Sequence, residues 1–145
     1  MIEIREIASD DIATIMYIRS HTRQNSLSLS EMKETGITAE YLEDKLATTH
    51  KGWLARCNGT ESGYIIADLA FSEIWVLAVL AQYEGCGIGR TLLDRASSYL
   101  FHSGKQRISL ETPADQSLRA HKLYKAAGWT VIEKYEDSWL YTLEK

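Results

Sequence analysis

The stretch that most constrains this chain is Ile74-Trp75-Val76-Leu77-Ala78-Val79-Leu80-Ala81-Gln82-Tyr83-Glu84-Gly85-Cys86-Gly87-Ile88-Gly89-Arg90-Thr91-Leu92-Leu93. Six apolar residues from Ile74 to Val79 make a run of strand length. Glycines at 85, 87 and 89 then let the backbone come close to whatever sits above the turn. The reading is a buried strand, a glycine turn and the start of a helix. The N–H groups of such a turn and of the first helical residues lack intrahelical partners, and the helix dipole adds partial positive charge there. An anion such as phosphate is therefore stabilised without any Lys or Arg. The turn does not fit the dinucleotide pattern Gly-x-Gly-x-x-Gly, because Arg90 stands where the third glycine belongs, although Glu111 lies near the distance of a ribose-binding acid. It does not fit a P-loop either, having no Gly-Lys-Ser/Thr.

A chain of 145 residues, 45% hydrophobic, fits one domain over 1–145 with a core of its own. Its single proline, Pro113, and the lack of repeats argue against disorder and against a solenoid. Met1 to Arg5 alternates charge with isoleucine, which reads as a strand and not a signal peptide, and no apolar run approaches membrane-spanning length. The expected location is cytoplasmic, with no membrane partner. Cys57 and Cys86 are expected to be reduced, and neither has the spacing of a metal site, so no metal is expected. A net charge of −4 disfavours nucleic acid. The charge is uneven: thirteen acidic against seven basic residues from Met1 to Gly85, then eight basic against four acidic from Cys86 to Lys134. A basic half beginning at the glycine turn suits an anionic cofactor, and the acidic half suits a cationic acceptor.

Residues 2–7 read as a strand. Ser9-Asp10-Asp11 then caps a helix to about Thr22, and Ser28-Leu29-Ser30-Glu31 is a capping box for a short helix. Thr38 caps another, carrying Tyr41, Leu42, Lys45 and Leu46. The polar segment Thr22-Arg23-Gln24-Asn25-Ser26 reads as a loop, either a plain connection or one over a substrate pocket. Gly52–Cys57 and Gly63–Ala70 read as a hairpin joined through Asn58-Gly59 and four further small or polar residues. A strand from Glu73 to Leu80 and a helix from Ile88 to about His102, stopped by Gly104, follow. A strand over 107–112, a helix starting at Asp115 or Ser117 and closed by Gly128, and strands over 130–135 and 139–143 complete the chain. The result is a mixed α/β sheet, largely antiparallel, with one βαβ crossover around the glycine turn.

Two motifs carry a family resemblance. Glu84-Gly85-Cys86-Gly87-Ile88-Gly89, after the strand Leu77-Ala78-Val79, resembles the Gln/Arg-x-x-Gly-x-Gly/Ala signature of the GNAT superfamily of N-acetyltransferases. About 27 residues further on, Ser117-Leu118-Arg119-Ala120-His121-Lys122-Leu123-Tyr124-Lys125-Ala126-Ala127-Gly128-Trp129 is similar to that family's Asn-x-x-Ala-x-x-Leu-Tyr-x-x-x-Gly-Phe. The departures are Glu84 for Gln or Arg, Ser117 for Asn and Trp129 for Phe. A carboxylate at 84 costs affinity for pyrophosphate unless it points away. Ser117 can donate one hydrogen bond to a pantetheine arm where an amide could make two.

The resemblance implies a single-domain, mainly antiparallel sheet flanked by helices, with a splayed central strand pair. It also implies acetyl-CoA as cosubstrate and direct acetyl transfer to a primary amine of a small, cationic acceptor. The implied cofactor contacts are backbone groups of Leu77, Ala78 and Val79, the turn Glu84, Gly85, Cys86, Gly87, Ile88, Gly89 and Arg90, then Ser117, Tyr124 and Lys125, with Arg119 and Lys122 as further cations. Tyr124 is the implied acid for the leaving thiolate; its ordinary pKa of about 10 is near that of a thiol. Glu73, in Phe71-Ser72-Glu73-Ile74, matches the base of the family's histone acetyltransferases, with Glu111 and Asp68 as second choices. Trp75 is a candidate wall for the acceptor pocket. Competing readings are a protein lysine or N-terminal acetyltransferase and a non-catalytic acyl-CoA sensor. The residues from Arg23 to Thr38 are expected to choose the acceptor. The C-terminal aromatics Trp129, Tyr135, Trp139 and Tyr141 are candidates for either a homodimer contact or internal packing.

Overall fold

The computed structural model describes residues 1–22 and 27–145. Seven strands form one sheet in the order β1-β2-β3-β4-β5-β7-β6. They are β1 (Ile2–Glu6), β2 (His50–Cys57), β3 (Thr60–Asp68), β4 (Glu73–Val79), β5 (Arg107–Pro113), β6 (Thr130–Lys134) and β7 (Ser138–Glu144). Every neighbouring pair is antiparallel except β4 and β5. Among the described residues there are helices α1 (Ile12–Ser20), α2 (Leu29–Glu34), α3 (Ala39–Thr48), α4 (Ile88–His102) and α5 (Arg119–Ala126). The segment 23–26 of the expected polar loop lies outside the described residues.

The strand alternation sorts side chains to two faces. On one face Ile65, Ala67 and Ile74 pack with Leu92, Leu93, Ala96 and Leu100 of α4 and with Tyr124, Trp129, Trp139 and Tyr141. On the other, Leu54, Tyr64, Ile66 and Ala78 pack with Ile12, Ile15 and Ile18 of α1 and Leu42 of α3. Three of the four C-terminal aromatics are thus core residues, and only Tyr135 is exposed. Fully burying one such side chain contributes roughly 1.5–3 kcal/mol, so these faces hold the sheet between its helices. Among the described residues, no helix is long and apolar enough to cross a membrane.

Several local signals act as the sequence predicts. Ser28 Oγ accepts from Glu31 N–H at 3.1 Å and Glu31 Oε1 accepts from Ser28 N–H at 3.2 Å, completing the capping box. Thr38 Oγ1 accepts from Tyr41 N–H. The hairpin is tighter than expected: Asn58 and Gly59, at φ 50° and 85°, form a two-residue turn by themselves, so β3 already begins at Thr60. The first helix also starts differently. Ser9–Asp11 is a short 3₁₀ turn, and neither Ser9 nor Asp10 caps it, because Ala8 occupies the capping position. Asp11 closes this turn instead. Its Oδ2 accepts from Ala8 N–H at 2.8 Å, and both carboxylate oxygens accept from the Arg5 guanidinium at 2.7 and 2.8 Å.

The Arg5 guanidinium holds the Asp11 carboxyl below its ordinary value. The stabilisation is therefore present above the unfolded-chain pKa and lost as pH falls through the lower folded one. Asp11→Ala should cost about 1–2 kcal/mol in urea unfolding at pH 7, and the gap to the parent chain should narrow as the pH drops below about 4.

Candidate active site

β4 and β5 run side by side only at their starts. Glu73 pairs with Ser109, Ser109 N–H donates to the Ser72 carbonyl at 3.0 Å, and no further pair follows. Directly after that pair β4 carries a bulge: Ile66 faces Val76 while Ala67 faces Ile74, leaving Trp75 as the extra residue. A bulge adds local twist, and beyond it the strands part into a fork. A cleft of about 610 Å³ fills the fork and reaches the glycine turn and α5.

The backbone directions in β4 follow from its other edge. Leu80 N–H donates to the Ser62 carbonyl, and a Cβ added to Gly63 would lie 2.9 Å from the Ala78 carbonyl oxygen. Residues 78 and 80 thus direct their peptide groups toward β3. By alternation, the N–H and C=O groups of Leu77 and Val79 face the fork. Of the three expected backbone contacts, Leu77 and Val79 are the ones turned to the cleft, while Ala78 serves the β3 ladder.

The glycines divide their roles. Gly85 and Gly87 have φ of 79° and 86°, a left-handed conformation that L side chains rarely adopt. Gly87 is the N-cap of α4, and its carbonyl accepts from Thr91 N–H and Thr91 Oγ1. The preceding N–H groups of α4 have no intrahelical acceptor and open toward the cleft. Gly89 answers to space instead, since a Cβ there would lie 3.3 Å from Leu123 Cδ2. It brings α5 against α4.

Glu84 does not face an anion unaccompanied. Its carboxylate forms an ion pair with Arg119 Nε at 3.3 Å, with Glu84 15% and Arg119 57% exposed. The pair ties the glycine turn to the first residue of α5. Ser117 is also engaged: its N–H and O–H both donate to Asp115 Oδ1, at 3.0 and 2.7 Å. The Ser117 hydroxyl proton is thereby committed to Asp115, and the oxygen offers a ligand its lone pairs. His121 fixes α5 from behind. Its Nε2 lies 2.8 Å from the Pro113 carbonyl, which can only accept, and its Nδ1 lies 2.7 Å from the Tyr141 hydroxyl.

Tyr124, on the buried face of α5, lines the cleft and packs beside Tyr141 and Trp129 at ring distances of 5.5 and 6.3 Å. Burial pushes its phenol up to about 12, with Tyr141 adding a little. It stays protonated at any working pH.

Of the residues singled out from the sequence, Leu77, Ala78, Val79, Glu84, Gly85, Gly87, Ile88, Gly89, Arg90, Ser117 and Tyr124 line the cleft, as do Glu111, Arg119, Lys122 and Trp75. Cys86, Lys125 and Glu73 do not. Cys86 is exposed, its Sγ 3.9 Å from the Glu84 carbonyl. Lys125 lies about 240° around α5 from Arg119 at 100° per residue, with its ammonium 5.9 Å from the Trp139 ring centre. Arg90 is at the cleft but bound to Asp94 at 3.1 Å, with a longer contact to the Ala126 carbonyl. Glu73 sits at the closed end of the fork, where burial first, and then the negative charges of Asp68 and Glu111, raise its pKa. Asp68 is occupied with the β3–β4 turn, accepting from Ala70 and Phe71 N–H, and lies 3.6 Å from His50 Nε2.

Arg19 of α1, a cleft residue, escaped the sequence reading, whereas Thr22, at the start of the polar segment read as a connection or a loop over a pocket, does line the cleft. A lone cation in a mostly apolar helix was the available signal for Arg19. Among the described residues, no three His, Cys, Asp or Glu side chains gather as a metal site.

A model of the acetyltransferase (GNAT) family matches residues 14–129. A mycothiol acetyltransferase from Beutenbergia cavernae is 30% identical over 124 residues, covering 78% of this chain and 37% of that protein. This chain therefore spans little more than a third of that relative. Among solved structures, a PaiA N-acetyltransferase from Thermoplasma acidophilum in complex with coenzyme A superimposes with a TM-score of 0.85 at 18% identity, covering 100% and 99% of the two chains. YncA of Salmonella typhimurium, solved with its cofactor acetyl-CoA, gives 0.76 at 19% identity, covering 99% and 93%. These structural likenesses establish the fold.

Coenzyme A, the ligand of the first of these structures, is a direct probe of the Glu84–Arg119 pair. In titration calorimetry Arg119→Ala should weaken its binding about 3- to 10-fold, by removing one cation from beside the Glu84 carboxylate at the turn. Adding Glu84→Ala should restore part of that loss, so that the two effects do not add.

Proposed function

This chain belongs to the acetyltransferase (GNAT) family, and we propose that it moves an acetyl group from the thioester of acetyl-CoA directly to the primary amine of a small acceptor that arrives as an ammonium cation. The single observation that carries the reading is the fork. It sets the outward-facing peptide groups of Leu77 and Val79, the bare N-terminus of α4 and the Tyr124 phenol around one cleft. That arrangement fits coenzyme A: an anion subsite of backbone N–H groups, an extended edge for a chain with amides, and a phenol where sulfur would leave.

Acetyl-CoA supplies an activated acyl carbon and a thiol leaving group. The residues do the rest. The turn from Gly85 to Gly89 and the first turn of α4 hold pyrophosphate oxygens, with Arg119 and Lys122 as nearby cations. Leu77 and Val79 orient the pantetheine amides and present an N–H toward the thioester carbonyl, stabilising negative charge as it develops on that oxygen. Tyr124 donates a hydrogen bond to the sulfur. With its phenol near 12, far above an ordinary thiol near 8.5, Tyr124 acts better by stabilising the thiolate than by giving up its proton outright.

Glu73 is proposed as the base. The raised pKa of its carboxyl is the direction a general base at neutral pH requires, and its place outside the cleft means that the amine proton reaches it through water. The acidic surface of the first 85 residues favours the approach of an ammonium acceptor. A need for acetyl-CoA supports the expected cytoplasmic location.

Thiol release from acetyl-CoA, followed across a panel of amines, tests the reading. Tyr124→Phe should lower kcat about 100-fold on the best acceptor, with KM for acetyl-CoA changed less than about 3-fold. Full activity of that variant at every pH would remove Tyr124 from the mechanism. Glu73→Gln should depress the rate most at neutral pH and abolish the acidic limb of the parent's pH profile.

A further inference from the structure

A second hollow, of about 160 Å³, opens beside the cleft, and Arg19, Trp75 and Val76 line both. The bulge in β4 makes this possible. It turns the neighbouring side chains Trp75 and Val76 toward the same cluster, on the α1 and α3 side of the sheet. The hollow therefore adjoins the β4 backbone one residue before Leu77.

Its walls include Met16, Met32, Ile37, Leu42 and Tyr64, and among the described residues Arg19 is its one charged wall. Met32, Leu42 and Tyr64 are buried, so the apolar surface exists before any ligand arrives. Trp75 is held by an edge contact to His50, at 4.7 Å between ring centres, and by a tilted contact to Tyr41 at 6.2 Å. A cavity of roughly 150 Å³ with apolar walls accepts a molecule the size of benzene. The hollow thus has room for the side chain of Leu, Met or Phe. Arg19 lines both the hollow and the cleft, and a guanidinium there suits a planar carboxylate.

Resting on the acetyltransferase reading, we propose that the acceptor is a free α-amino acid with a bulky apolar side chain. The side chain fills the hollow, the carboxylate lies at Arg19, and the α-nitrogen faces the fork beside Leu77. The neutral nitrogen attacks the thioester carbonyl carbon. A C–N bond forms and the C–S bond breaks, with its electron pair leaving on sulfur. Of the two protons that the ammonium loses, one goes through the base to solvent and one ends on the thiolate. The products are the N-acetyl amino acid, the free thiol and one proton. Polyamines lack both the carboxylate and the apolar group, and this acceptor is narrower than the general class of small amines.

The test is thiol release by the full chain with acetyl-CoA and five kinds of acceptor: L-leucine, L-methionine and L-phenylalanine; their carboxamides; glycine; spermidine; and the peptide Phe-Gly-Gly. The free apolar amino acids should exceed their carboxamides in kcat/KM by about 10- to 100-fold, and glycine by on the order of 100-fold. Arg19→Gln should collapse the ratio of acid to carboxamide toward one, whereas Arg19→Lys should keep part of it. The ratio in the unaltered chain stands without any variant folding. Carboxamides equal to the acids, or spermidine or the peptide as best acceptor, would overturn the proposal while leaving the acetyltransferase reading intact. Failure of acetyl-CoA itself to bind in calorimetry, or the absence of turnover with every amine, would overturn both.

Discussion

The site depends on the failure of β4 and β5 to stay paired. A parallel pair buried in the middle of a sheet ordinarily satisfies its peptide groups along its whole length. Here β5 is fully engaged on its other side, pairing with β7 from Arg107 to Pro113, but it meets β4 only at Ser109. The bulge at Trp75 turns β4 away immediately after that pair. Peptide groups of Leu77 and Val79 are thereby left without a strand partner, next to a helix N-terminus whose N–H groups also lack one. Two sets of unsatisfied donors converge on one cleft. A ligand with alternating amides and a pyrophosphate end meets both needs.

Close packing then fixes where the pieces stand. Gly63 admits the Ala78 carbonyl and the Ile88 side chain, where a Cβ would lie 2.9 and 3.1 Å from them. Gly89 admits Leu123. These contacts press the start of α4 onto β3 and β4 and bring α5 alongside. The His121 contacts to Pro113 and Tyr141 hold α5 from its other face, so Tyr124 is presented by a helix anchored on two sides. The Glu84–Arg119 pair adds an electrostatic tie across the mouth. A carboxylate that reads as a defect in the motif becomes, in three dimensions, the partner of an arginine.

Much of this was legible in the chain. Periodicity placed the strands and helices because each buries one face, and the capping residues Ser28, Glu31 and Thr38 act through local hydrogen bonds that need no distant partner. The glycines at 85 and 87 were legible because positive φ is a local demand. Lys125 shows where such reading stops: motif position put it at the site, but rotation around α5 turns it to Trp139, while Arg119 and Lys122 face the cleft. Ser9-Asp10-Asp11 shows it again: of the three residues read as the cap, Asp11 alone takes the closing role. The hollow beside Trp75 was not legible at all. Its walls come from α1, the segment around α2, α3, β3 and β4, and no window of sequence contains them.

By itself the sequence determined the class of fold, the strand–turn–helix with its open N–H groups, and the pair of motifs that carry the resemblance to the acetyltransferase (GNAT) family. These are short-range properties, set by side-chain period and by residues whose backbone preferences act where they stand. Only the tertiary structure decided which peptide groups of β4 face the fork, that Glu84 pairs with Arg119, and that Arg19 lines both the cleft and an apolar hollow. Each of these depends on the twist, register and rotation of elements far apart in the chain. Those quantities are settled when both faces of the sheet are packed at once.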